Sequence, residues 1–449
     1  MSTAKARKVA VGDVSEGSRA NTERGGSLLL DACIVALNGA SEQGSYLPTK
    51  YLQLASLQFC IACRGVSTLC VTIHGCTPRW LWAPSAEQSR TPTAGNRYLP
   101  RRTPRTRIPL LRAREVVWTL TADAEFMSSE SEVLANVRCV CFDDEFNGSL
   151  NNVVWPQRLR KIVFGTSRVF SNRRGPDRAV FNRSITRVAW PTSLQQLEFG
   201  RRFDQPVAGV TWPTSLQQLA FGDSFNNPIK DITWPSLQQL TFGHNFNQPI
   251  EGVVWPPSLQ QLTFRRSFDQ PIEGVSWPAS LQQLTFERDF NQPVERVAWP
   301  ASLQRLTFGN NFNQPIELVA WPASLKQVVF GRNFNQPVER VAWPASLQRL
   351  TFGTRFDQPI ESVEWPASFH QLTLGECFNQ PIESVVWPAS LRDLKFGRNF
   401  NQPIKLVVWP VSLQRVTFGD GFRQPIRDVT WPTHLSVHVK RAKQVAILR

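Results

Sequence analysis

The chain has 449 residues, 41% of them hydrophobic and 11% aromatic, which is ample material for a large buried core. Eight cysteines over that length exclude a disulfide scaffold, and a formal net charge of +15 favours acidic partners without selecting one. No stretch reads as a membrane span, and the polar, basic start MSTAKARKVAVGD lacks the apolar centre of a signal peptide, so an intracellular protein, cytoplasmic or nuclear, is expected.

Residues 1–82 show no period and are expected to form a poorly defined N-terminal region. Their one metal-like spacing is Cys60-x-x-Cys63, with His74 and with Cys70 or Cys76. A lone CxxC is a weak signal, and its surroundings, LQFCIACRGV, read as a buried apolar strand or helix. Small buried cysteines are the better account, so neither a metal nor a cofactor is predicted. Residues 83–132 turn to Pro, Arg, Thr and Ser around RYLPRRTPRTRIP. Proline removes donors and like charges repel, so this stretch is expected to be a disordered linker.

From about Val133 the chain becomes periodic, and 133–449 is expected to be one repeat domain. Trp-Pro recurs every 22 residues from Trp190 to Trp431, with one interval of 21 between Trp234 and Trp255, where WPASLQQL has shortened to WPSLQQL. The interval from Trp155 to Trp190 holds an extra polar loop, SNRRGPDR, between Gly165 and Phe181. Near-identical copies at this period predict a solenoid of about 13 stacked coils, all or mostly β, roughly 60 Å long at a strand spacing of ~4.8 Å. The pattern decays after Leu435, as terminal caps do.

One coil, WPASLQQLTFERDFNQPVERVA from Trp277, carries two similar stretches. Leu281-x-x-Leu284-x-Phe286 and Val294-x-x-Val297-x-Trp299 both end in strand-like alternation, so two short parallel strands per coil are expected, joined by two corners. Proline after every Trp and in every NQP argues against helix. Trp, Phe and aliphatic positions then line up as internal columns that only neighbouring coils can bury. A further column, from Asn147 to Asn401, is Asn with Asp204, Asp269 and Asp357 substituting. A buried ladder of short side chains bonding turn amides is expected there. Arg423 breaks that column in a degraded last turn.

The repeated FNQPI and FDQPI followed by WPASLQQLTFG resemble the FNIP repeat, a 22-residue member of the leucine-rich-repeat-like solenoids, over about residues 133–435. Trp-Pro stands here for the Leu-Pro more usual in such repeats. The resemblance implies a protein-interaction module. Some relatives carry an N-terminal F-box and serve as ubiquitin-ligase adaptors, but SYLPTKYLQLASLQF lacks the leucine-rich helix that should follow its Leu-Pro.

Specificity in copied units resides where copies differ. Arg305, Arg349 and Arg415 interrupt an outward Gln column of the first strand. Arg296 and Arg340 stand beside a glutamate run, Glu251 to Glu383, read as a solvated edge. Arg266, Arg288, Arg332, Arg355 and Arg398 lie in the loop after Phe-Gly. These ten arginines are the candidate partner contacts. No catalytic constellation, phosphate loop or nucleophile elbow is found, so no enzyme is expected. The expected role is a protein-binding scaffold with a protein partner and no membrane. Nucleic acid bound by a basic face, and a ubiquitin-ligase adaptor, are the alternatives.

Overall fold

The computed structural model describes residues 57–63, 66–74 and 115–120, then 138–448 with gaps at 143, 145, 152, 166–178 and 442–443; side chains are described within 138–440. Among the described residues there is no helix, and none is long and apolar enough to cross a membrane. Three strands lead: β1 (Leu57–Cys63), β2 (Val66–His74) and β3 (Glu115–Leu120). One short strand per coil follows: β4 (Cys139–Phe142), β5 (Lys161–Phe164), β6 (Gln196–Glu198), β7 (Gln218–Ala220), β8 (Gln239–Thr241) and β9 (Gln261–Phe264). The series runs on through β10 (Gln283–Phe286), β11 (Arg305–Thr307), β12 (Gln327–Val329), β13 (Arg349–Thr351), β14 (Gln371–Thr373), β15 (Asp393–Lys395) and β16 (Arg415–Phe418). A closing pair is β17 (Ser436–Arg441) and β18 (Gln444–Leu448).

From β3 to β17 each strand pairs in parallel with the next, position for position, as in Gln283↔Arg305, Leu284↔Leu306 and Thr285↔Thr307. The two ends are antiparallel, β1 with β2, β2 with β3, and β17 with β18. The solenoid expected from the repeats is therefore present, a parallel stack of 22-residue coils. β3 lies inside the stretch expected to be linker, and this is a correction. EVVWTL is rich in β-branched and aromatic residues and joins β4 in the register of an ordinary coil strand, with Leu120 opposite Phe142. The polar loop expected between Gly165 and Phe181 lies mostly outside the described residues. β5 pairs directly with β6 across it, so the ladder is unbroken.

The expectation of two strands per coil is corrected: only Leu-x-x-Leu-x-Phe forms one. On the strand side the amides reach neighbouring coils, as Gln282 and Gln283 N–H both do to the Gln260 carbonyl of the coil before at 2.9 Å, and Phe308 N–H to the Val329 carbonyl of the coil after at 2.8 Å. On the other side the Val297 N–H turns back to the Val294 carbonyl of its own coil at 3.3 Å. Proline before Val294 and after Trp299 has also deleted donors that a ladder would need. A chain of turns results, and we call this the turn side. The shortened coil is absorbed at the corner, where Leu237 N–H reaches the Pro235 carbonyl and β8 keeps its register with β7.

The core is one continuous cluster running the length of the stack. Its rings stack coil on coil: Phe308 and Phe330 are 5.5 Å apart at 6°, Phe312 and Phe334 6.1 Å apart at 6°. Indole N–H groups from Trp155 to Trp409 have no hydrogen-bond partner, whereas Trp431 donates to the Ile426 carbonyl at 3.0 Å. Trp thus serves this column through ring area. Two polar ladders knit the corners. Ser302 Oγ donates to the Leu281 carbonyl at 2.7 Å, a bond repeated from Ser193 to Ser412 with a break at the shortened coil. The Asn column accepts from the next coil rather than from its own turn: Asn313 Oδ1 takes the Asn335 N–H at 2.8 Å, and Gln336 adds a bond to the Asn313 carbonyl. The expectation of a buried ladder is corrected, because these residues lie at or near the surface. Arg423 fits this logic. Its N–H donates to Asn401 at 2.8 Å, and no further rung follows that would need its side chain as acceptor.

Candidate interaction surface

Coil spacing fixes which face is inside the curve. Paired strands lie ~4.8 Å apart. The ring column next to them is spaced 5.5 Å at Phe308–Phe330 and 5.7 Å at Phe264–Phe286 and Phe330–Phe352, with Phe286–Phe308 wider at 6.4 Å, and the column farther away 6.1 Å at Phe290–Phe312 and Phe312–Phe334. The stack is shortest along the strands, so the strand face is concave.

That face carries two outward columns, half-buried or exposed, with buried Leu or Val between them. One holds Arg305, Gln327 and Arg349; the other holds Thr307, Val329 and Thr351. Beyond the second column the chain bends at Phe-Gly. A trough of about 610 Å³ runs between this column and the bend along six coils, with Thr285, Thr307, Val329, Thr351, Thr373 and Lys395 as its floor. Its bank is formed by Arg288, Asn310, Arg332, Thr354 and Glu376. The glycines of the bend serve packing. A Cβ at Gly331 would collide with the carbonyl of Gly309 in the coil before. Where Gly is replaced, at Arg265 and Glu287, the preceding strands β9 and β10 run one residue longer than β11.

The ten candidate arginines are all exposed but do not share one surface. Arg305, Arg349 and Arg415 begin strands on the concave face. Arg288 and Arg332 line the trough, with Arg266 and Arg398 at the equivalent loop position of other coils and Arg355 one residue further on. Arg296 and Arg340 sit on the turn side. Some already have counter-charges: Arg288 with Asp289 at 3.5 Å, Arg296 with Glu273 at 3.7 Å, Arg398 with Asp420 at 3.9 Å and Arg415 with Asp393 at 3.5 Å. Sequence reasoning missed a tighter group in the same loop column. Asp223 gathers Arg201, Arg265 and His244 within 3.3–3.7 Å. The charge alternation of those loop positions was the available signal.

Near the first coils, Cys139 and Cys141 place their sulfurs 3.9 Å apart. The hydrogen bond between the two thiols, together with burial, pushes the Cys141 thiol well above the usual range, which favours its protonated form. No group of three or more potential metal ligands occurs among the described residues. The side chains of Cys60, Cys63, Cys70 and His74, and all of Cys76, lie outside them; the backbone places Cys60 opposite Cys70.

Residues 203–421 match the FNIP Repeat family in nine overlapping segments, from 203–245 to 378–421. The solved structure of CroV588, described as a novel circular LRR protein, is 38% identical with a TM-score of 0.56. The match covers 68% of this chain and 46% of that one, so the chain spans under half of that protein's length. An internalin (InlF) of Listeria monocytogenes matches at 13% identity and a TM-score of 0.44, over 73% of this chain and 87% of its own. No curated protein matches.

Proposed function

Residues 203–421 are an array of FNIP repeats, and from that premise we propose that the chain is a non-catalytic scaffold whose concave strand face docks a partner protein. The observation that carries this reading is the trough: it spans six coils, its floor is nearly uniform, and its bank differs from coil to coil. A uniform core with a varied rim gives a rigid surface on which a few side chains set specificity. The alternative of nucleic acid draws on the +15 charge, but the ten candidate arginines are divided among three separate surfaces. The adaptor alternative needs an F-box, and the segment weighed for one, SYLPTKYLQLASLQF, lies mostly outside the described residues.

The test is a photo-crosslinking amino acid placed at Gln327 on the strand face or at Glu339 on the turn side, in nuclease-treated lysate. A protein partner crosslinked from Gln327 and not from Glu339 is expected. Crosslinks from Glu339 alone, or from neither, would sink the reading.

A further inference from the structure

On and beside the trough, several charges are already answered. Glu376 accepts the Arg398 backbone N–H at 2.9 Å, Asp393 faces Arg415 at 3.5 Å, and Arg288 faces Asp289 at 3.5 Å. Three guanidiniums at the centre are not: Arg305, Arg332 and Arg349 are exposed and form no ion pair among the described residues. Arg305 and Arg349 open β11 and β13, two strands apart on one outward column, hence about 10 Å from one another along the stack. Arg332 belongs to the coil between them and rises on the opposite bank, just past the end of β12. Arg305 and Arg349 thus stand one outward column beyond the floor residues Thr307 and Thr351, and Arg332 stands on the bank past that floor, so the floor lies between the three forked donors.

We infer that this part of the trough receives an extended, acidic segment of a partner protein, its carboxylates clamped by Arg305, Arg332 and Arg349. The inference rests on the reading that the concave face is the docking face. A guanidinium fork matches the two oxygens of a carboxylate and is less strongly hydrated than an ammonium, so it suits a groove that loses water on binding. Ten ångströms is roughly three residues of extended chain, which sets the spacing of the acidic positions. The floor supplies hydroxyls at Thr307 and Thr351 for the peptide backbone, with apolar Val329 between them. Nucleic acid fits less well. The rings bordering the trough, Phe308, Phe330 and Phe352, are at most 3% exposed, so no base can stack on them. Glu287 and Glu376 also line it and would repel a continuous polyphosphate.

The test uses the full chain and fluorescence anisotropy, with a labelled dodecapeptide carrying Glu at every third position and Ser elsewhere, its Lys and Ser counterpart, and a dodecamer of oligothymidylate. The Glu peptide should bind at least about tenfold tighter than either of the others. The triple variant Arg305→Gln, Arg332→Gln, Arg349→Gln should lose at least about tenfold, and the double variant Arg296→Gln, Arg340→Gln less than about twofold, both with unchanged thermal unfolding. Equal losses in the two variants would reduce the effect to net charge and overturn the inference. So would a Glu peptide that binds no better than the Lys peptide or the oligonucleotide. A trough filled by Thr307→Trp and Thr351→Trp separates this from the docking reading. If crosslinking from Gln327 survives the arginine triple but is lost on filling, only the acidic clamp falls; if it survives both, docking in the trough falls as well.

Discussion

The two sides of each coil start from the same pattern and end differently. Leu281-x-x-Leu284-x-Phe286 and Val294-x-x-Val297-x-Trp299 have matching apolar spacing, and both turn their apolar residues into the core, Trp299 being partly buried. On the strand side the amides reach across to the coils before and after; on the turn side they close i to i+3 loops within their own coil. Alternation therefore decides which side chains go inward, while the allotment of donors decides whether a stretch becomes a strand. The consequence for function is direct. Only the side with a ladder is drawn to strand spacing, becomes concave, and offers a trough.

The strongest way to break this arrangement is to remove what both sides share. Phe312 is fully buried and stacks against Phe290 at 6.1 Å and Phe334 at 6.1 Å. Phe312→Ala should cost about 3–5 kcal/mol, read as a lower urea midpoint. In a stack whose coils touch only their neighbours, hydrogen exchange should quicken around that coil far more than near β5. Next comes a test that separates the sides. At the bend after β12, Gly331→Ala drives a methyl into the Gly309 carbonyl, with an expected loss of about 2–3 kcal/mol. On the turn side Gly209 has φ +75° with open space around it, so Gly209→Ala costs only the left-handed backbone, about 1–2 kcal/mol. Equal losses at the two sites would mean that the strand side is no more closely packed than the turn side.

Much of this was legible in the sequence. The in-register recurrence of Trp-Pro and FNQP sets the coil length, the column assignments and the parallel stacking, because identical units can bury identical faces only by stacking. What stayed hidden depends on distances between coils. Which face is concave follows from ring and strand spacings, and whether the Asn column bonds its own turn or the next one follows from corner geometry. Neither leaves a trace in one coil's sequence. The second strand was misread because Val-x-x-Val-x-Trp carries the right side chains but spends its amide locally. The ten arginines look equivalent as departures from a consensus. Only the fold separates Arg305 and Arg349, on the concave face without counter-charge, from Arg296, on the turn side and paired.

The corner ladder lies between the two sides and should respond weakly but measurably. Asn313→Ala removes the acceptor for the Asn335 N–H at 2.8 Å, leaving water to replace it at a half-exposed site. About 1 kcal/mol is expected by urea melt. Arg423→Ala, at the end of the same column, breaks no later rung and gives up only its side chain's surface bonds to the Asp420 and Phe422 carbonyls, so a smaller loss, below about 0.5 kcal/mol, is expected. A comparable loss at both positions would show that the bond from coil to coil is not what makes Asn the resident there.

The smallest effect belongs to the turn-side charges, and salt is what exposes it. Glutamates from Glu251 to Glu383 stack coil after coil close to the 6.1 Å pitch of the neighbouring Phe column, near enough for like charges to repel in dilute buffer. Arg296 relieves Glu273 at 3.7 Å, but the two side chains are 84% and 57% exposed, so water screens most of the gain. Arg296→Gln should therefore lose no more than about 0.5 kcal/mol at low ionic strength. Added salt should erase that difference, because the Debye length shrinks from about 10 Å at 0.1 M to about 3 Å at 1 M. The same salt should slightly raise the stability of the parent chain by screening the glutamates from one another. A loss that persists at 1 M would mean that Arg296 acts through packing of its aliphatic stem, and the turn side would then hold the coils together by contact as well as by the aromatic columns beneath it.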